Sequence, residues 1–287
     1  MDFSLYWFML PVAVLVATVA MMSGIAGAAM FMPIFLLAFP LLGEAYIIDN
    51  PTASIAAALL TSTFGFSSGF VGYYRRRLID YQQCYPFLYL AIPVAIIGAL
   101  LSPLFSPNGI RLAYGLLMLV LAYSLLRGEG TTATSPPSNR QPLVRLQDQA
   151  GKVYEYRHAK AKWGPTLLGG LLTGMLSTGI GEVVMPQLVK GARIPVPVAA
   201  ATSVMIVILT FFFAACTHLV LLISKGGLSA VPWHLVAYTI PGVIIGGQIG
   251  PSLQGRVQRA VMVKSIAIVF LLIGIAMLWA VLPQLFQ

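Results

Sequence analysis

Apolar residues run along this chain in blocks of about twenty, separated by short breaks marked by glycine, proline or charge. A run of that length crosses the hydrocarbon core of a bilayer as a helix, whereas barrel strands would show as short alternating segments. The pattern predicts a first span over about 5–22, then an interrupted stretch continuing as a shorter apolar segment over about 25–39. Spans over about 52–73, 85–102 and 110–126 follow. From 127 to 162 the periodicity fails. There a polar linker over 131–138 precedes two β-prone runs, 143–147 and 152–156, which flank Asp148-Gln149-Ala150-Gly151 and predict a small solvent-exposed hairpin. The spans then resume: a glycine-rich segment over 167–177, a second interruption, a short segment to about 189, and spans near 198–223, 234–253 and 260–282.

The two interruptions organise the chain. Ser23-Gly24-Ile25-Ala26-Gly27-Ala28-Ala29-Met30-Phe31-Met32-Pro33 is echoed by Ser177-Thr178-Gly179-Ile180-Gly181-Glu182-Val183-Val184-Met185-Pro186. Glycine and proline loosen a helix where lipid offers nothing to satisfy the freed backbone, so such breaks survive only against protein or a water-filled cavity. Paired breaks in two halves of one membrane protein point to the binding site of a secondary transporter. The halves themselves repeat: Ile92-Pro93-Val94-Ala95-Ile96-Ile97-Gly98 with Pro103 matches Ile240-Pro241-Gly242-Val243-Ile244-Ile245-Gly246 with Pro251 at one fixed offset of 148. The same pattern divides the chain into a first transmembrane repeat (1–126), a loop with the hairpin (127–165) and a second transmembrane repeat (166–287).

Composition agrees with the pattern. The chain is 59% hydrophobic and only 9% charged, where soluble domains carry about 25% charged residues. A net charge of +9 would suit a nucleic-acid binder, but the basic residues sit in a few loops, as topology determinants do. Arg75, Arg76 and Arg77 assign their loop to the cytoplasm, and the 127–165 loop shares that side. Of the seventeen basic residues only Arg111 and Lys225 then fall outside, with both termini. The start, Met-Asp-Phe-Ser, has no positive n-region, so the first span is expected to stay uncleaved. Five segments per half make the halves enter from opposite faces. The expected fold is therefore an all-α membrane protein of two inverted-topology repeats of about five segments each. The second segment pair of each repeat is expected to be broken or re-entrant near mid-membrane.

A helix restarting after each break offers unpaired N–H groups and a partial positive charge. Two such ends meeting at mid-membrane would cradle an anion without a buried cation. The expected substrate-binding residues are Ser23, Gly24 and Gly27 with Ser177, Thr178, Gly179 and Gly181; helix packing through small residues is the plainer alternative. Hydroxyls within spans (Thr61, Ser62, Thr202, Ser203) are further candidates, although such groups often bond their own backbone. Gln248 could select a polar ligand or join helices. Glu182 is the carboxylate expected deep in a span, as a proton carrier for coupling or as a hydrogen-bonded strut. Lys190 and Arg193 read as topology charges that could also steer anions. Cys84 and Cys216 read as packing residues, and His158, His218 and His234 as structural; no metal spacing occurs and no cofactor is expected. Gly65-Phe66-Ser67-Ser68-Gly69 fits a hydrolase pattern that needs a strand–turn–helix setting. With His218 it would make an intramembrane serine enzyme, and a non-transporting assembly subunit is the other alternative. Gly65/Gly69 and Gly242/Gly246/Gly250 read better as close-packing faces.

The paired glycine-interrupted stretches ending in proline, with Tyr73-Tyr74-Arg75-Arg76-Arg77-Leu78-Ile79-Asp80 and the duplicated Ile-Pro…Ile-Gly span, resemble the sulfite exporter TauE/SafE (TSUP) family. The likeness covers essentially the whole chain outside the polar loop. It departs from the family's pattern where Ala26, Ala28 and Ala29 replace part of the glycine cluster, and where the second copy is shortened to Gly179-Ile180-Gly181-Glu182. The resemblance implies a transporter, expected to be an exporter, that moves small sulfur-containing or organic anions such as sulfite, sulfonates or sulfoacetate across a prokaryotic inner membrane by alternating access. The expected partners are that small anion and the lipid bilayer, with no nucleic acid. The oligomeric state, a homodimer among the candidates, is left open.

Overall fold

A computed structural model describes residues 3–23, 28–48, 50–127, 143–158, 160–191, 193–253 and 259–285. The first half comprises α1 (Met9–Ser23), the short α2 (Ala28–Pro33), α3 (Pro51–Arg75), α4 (Tyr81–Leu101) and α5 (Pro107–Arg127). A hairpin of β1 (Val144–Gln147) and β2 (Val153–Tyr156) follows, in the register Val144 opposite Tyr156. The second half holds α6 (Trp163–Leu176), the short α7 (Ile180–Pro186), α8 (Val196–Gly226), α9 (Trp233–Leu253) and α10 (Arg259–Leu285). Five helices among the described residues are long and apolar enough to cross a membrane. Among the described residues the chain is an all-α membrane protein apart from the hairpin.

Local chemistry sets the helix ends. Asn50 caps α3 by accepting the Thr52 N–H at 2.9 Å, with Pro51 supplying a first-turn residue that has no N–H to lose. Asp80 caps α4 by accepting the Gln83 N–H at 3.0 Å. That cap starts α4 four residues before the span expected from hydropathy alone. Both short helices end in a proline and run on through a five-residue π-helical turn, Ile34–Ala38 after Pro33 and Gln187–Gly191 after Pro186. A proline lacks the N–H that an α-turn needs, and a local π adjustment re-satisfies the freed carbonyls.

The helices pack in pairs that map onto themselves when the halves are exchanged. α1 lies against α9 as α4 lies against α6; α3 against α9 as α4 against α8; α3 pairs with α8, and α5 with α10. At the α3–α8 crossing Phe66 meets Phe211 edge-on, centroids 5.9 Å apart. Small residues let these backbones close. A Cβ at Gly242 would stand 2.6 Å from the Leu10 carbonyl oxygen of α1, and one at Gly246 would run into the Val14 carbonyl and lie 2.8 Å from the Ala17 Cβ. On the other seam, a Cβ at Gly170 would stand 2.8 Å from the Ala91 carbonyl oxygen of α4. With no hydrophobic drive between helices in lipid, such close approach is the main source of cohesion. The packing reading of Gly242, Gly246 and Gly250 therefore holds. Aromatic residues fasten the start of the bundle: Tyr6 packs on Phe39, Tyr46 and His234, and its hydroxyl donates to the Tyr46 carbonyl at 3.1 Å.

Candidate functional site

The second break is built by three successive local choices. α6 stops where Ser177 turns left-handed (φ 60°), its N–H still donating to the Thr173 carbonyl at 2.9 Å. Gly179 then takes φ 141°, a conformation L side chains rarely adopt. α7 restarts under a cap formed by its own Glu182. One carboxylate oxygen accepts the Gly179 N–H at 3.1 Å and the other accepts the Thr178 hydroxyl at 3.1 Å. Thr173 reaches across from α6 and accepts the Ile180 N–H at 2.9 Å. Ser177 and Thr178 are wholly buried, and the Ser177 hydroxyl oxygen has no hydrogen-bond partner. Glu182 is thus no bare carboxylate: it accepts two donors at its own helix start.

At the first break, α1 ends at Ser23 and α2 begins at Ala28; Gly24 and Gly27 lie outside the described residues. Beside it, Tyr114 of α5 is buried and its hydroxyl donates to the Ala29 carbonyl of α2 at 2.8 Å. Nothing in the sequence singles out Tyr114, because one tyrosine in an apolar helix reads as packing.

The span hydroxyls divide. Thr61 bonds Thr239 of α9, oxygen to oxygen, at 2.7 Å. Ser62 is buried with no partner for its hydroxyl oxygen. Ser203 donates to the Ala200 carbonyl and touches the Met185 sulfur of α7. Thr202 accepts the Asp80 N–H at 3.2 Å. Gln248 donates to the Ser68 carbonyl and hydroxyl at 2.7 and 2.9 Å, the helix-joining one of its two expected roles. Ser68 in turn donates to the Ile244 carbonyl, from within the uninterrupted helix α3. His218, fully buried, shares a 2.8 Å hydrogen bond with the Gly174 carbonyl. The serine pattern therefore lacks its strand–turn–helix setting, since its serine, Ser67, lies within the uninterrupted α3; His218 is bonded to α6. Neither the hollow described below nor one of about 410 Å³ between Asn50, Ser102 and Lys225 is lined by the residues of the second break.

One buried group escaped the sequence reading. Asp80, 7% exposed, accepts the Tyr156 hydroxyl at 2.7 Å and pairs with His158 at 2.9 Å through the same oxygen. The Gln149 N–H also donates to the Arg76 carbonyl at 3.1 Å. The hairpin, expected to be solvent-exposed, is therefore docked at the start of α4, with Tyr156 buried against it. Burial, followed by the contact with Asp80, pushes the Tyr156 phenol well above its ordinary range. The Asp80-x-x-Gln83 spacing is a capping pattern that could have flagged the helix start.

Five long apolar helices among the described residues, with a short proline-ended helix in each half, define the class: a multi-pass membrane protein. The profile of the sulfite exporter TauE/SafE family matches residues 9–277, and the chain belongs to that family. Among curated proteins it is similar to "Probable membrane transporter protein YunE" of Bacillus subtilis (strain 168), 26% identical over 234 residues covering 80% of this chain and 82% of the relative. It is also similar to a "Probable membrane transporter protein" of Xylella fastidiosa (strain Temecula1 / ATCC 700964), 20% identical over 246 residues covering 85% and 86%. No solved structure matches the chain significantly.

Proposed function

We propose that this protein is a secondary transporter that exports small sulfur-containing or organic anions, such as sulfite, sulfonates or sulfoacetate, by alternating access. The family's description as sulfite exporters supports the substrate class and direction. The exchange-symmetric helix pairing and five segments per half support an inverted repeat in a prokaryotic inner membrane, with the 127–165 loop cytoplasmic and the termini outside.

The observation that carries the reading is the second break itself, where Ser177 (φ 60°) and Gly179 (φ 141°) interrupt the chain beside the unpartnered, buried Ser177 hydroxyl, and Glu182 accepts the Gly179 N–H and the Thr178 hydroxyl. The anion sits between the breaks, bound by the Gly179 N–H, the Thr178 and Ser177 hydroxyls and the donors of the first break at Ser23, Gly24 and Gly27. Glu182 holds two of those donors itself. An ionised Glu182 and an arriving anion compete for them and repel each other. Protonation of the carboxyl releases the donors, so anion and proton bind together. Rocking of one repeat against the other then carries both to the opposite side.

The test is flux of radiolabelled sulfite and small sulfonates in proteoliposomes under an imposed pH gradient. The wild type moves anion in response to the gradient. Glu182→Gln keeps anion exchange and loses the response. An unaltered response in that variant, or no flux of any of these anions by the wild type, refutes the proposal.

A further inference from the structure

Away from the breaks, an apolar hollow of about 860 Å³ opens between the α2 run and α10, with a wall contributed by α5. Pro33, Ile34, Leu37 and Leu41 face Leu272 and Ala276 across it. Its one charged lining residue is Arg111. The Nε of Arg111 is buried with no hydrogen-bond partner, and no ion pair reaches that guanidinium among the described residues. The volume is in the range of about 300–1,000 Å³ usual for ligand sites. Leu41 and Trp279 on its walls are 88% and 78% exposed, so the hollow opens to whatever surrounds the bundle.

The geometry points to a binding site for one membrane phospholipid, an acyl chain lying between α2 and α10 and the phosphate on Arg111. The occupant has to present an apolar body and an anion together, because the walls are otherwise hydrocarbon. An unpaired guanidinium at an apolar, lipid-facing surface is costly, and a phosphate matches its planar fork in two parallel hydrogen bonds. The surrounding bilayer supplies that combination in every leaflet. Trp279 supplies the amphipathic ring that favours the headgroup level. A bound lipid bridges α2, which follows the first break, to the α5–α10 pair.

Native mass spectrometry of the protein in mild detergent, delipidated and then given phosphatidylglycerol or phosphatidylethanolamine, tests this. The wild type holds one phospholipid per chain. Arg111→Gln lowers occupancy about tenfold or more, the size expected for hydrogen bonds to a charged group. Ala276→Phe, which fills the groove and leaves Arg111 in place, lowers it comparably, while Lys225→Gln, beside the other hollow, leaves it unchanged. No bound lipid on the wild type, occupancy in Arg111→Gln or in Ala276→Phe equal to that of the wild type, or a lipid-free dimer whose partner covers the groove would each overturn the assignment.

Discussion

Replacing Gly179 by alanine tests the geometry of the second break at its tightest point. The backbone there holds φ 141°, which costs a non-glycine residue about 1–3 kcal/mol. A Cβ at this position would also stand 2.8 Å from the Gly169 carbonyl oxygen and 2.9 Å from the Leu172 Cβ, both on α6. A helix backbone cannot swing aside as a flexible side chain can, so overpacking adds about 1–3 kcal/mol. The two effects together predict a loss of roughly 2–6 kcal/mol. Thermal unfolding in detergent or nanodiscs reads it, at about 2–4 °C for each kcal/mol in a chain of this size. Gly164→Ala, on the same helix with open space around its Cβ, is the control and stays within about 1 kcal/mol of wild type. If Gly179→Ala unfolds within about 1 kcal/mol of the wild type, the break does not have the shape argued here.

Other outcomes follow from the same contacts. Gly246→Val separates α1 from α9 by driving a side chain into the Val14 carbonyl, and destabilises by about 1–3 kcal/mol or more in a denaturation series; Gly72→Val, with open space around it, does not. Asp80→Ala removes the acceptor for Tyr156 and His158 and the cap of α4, so hydrogen exchange of the β1–β2 amides rises about tenfold or more. The docked Tyr156 holds its proton more tightly than a free phenol, whose ordinary value is 10.0. Its contribution to docking is therefore fully present below about pH 10 and is lost as the pH rises above it, a limb that Tyr156→Phe abolishes in the same exchange measurement.

The parts of the fold legible in the sequence were those governed by period and composition. Long apolar runs gave the spans to within a few residues, and Gly242, Gly246 and Gly250, one helical turn apart, marked a seam before its partner α1 was known. The repeated Met-Pro closing each short segment signalled equivalent positions, though not the π-helical turn that follows both prolines. What sequence could not supply was contact between distant residues. Asp80 enters the sequence pattern only as the end of the segment after three arginines; its hairpin partners lie more than seventy residues away in a polar loop that breaks the apolar pattern. Glu182 stands out in the sequence because a carboxylate in an apolar stretch is rare. Its role as the cap of its own helix depends on the backbone turn at Gly179, which the residue types permit but do not dictate.

The central claim is that an anion binds between the two breaks and that this point faces each side of the membrane in turn. In a background lacking Cys84 and Cys216, Ser177→Cys places a thiol at the buried end of α6. Modification by a membrane-impermeant maleimide, applied from one side of sealed vesicles and then from the other, measures access to that point. The account predicts labelling from both sides, slowed by a transported sulfonate and unaffected by a non-transported cation. A thiol that stays unreactive from both sides, or labelling that no anion slows, contradicts it.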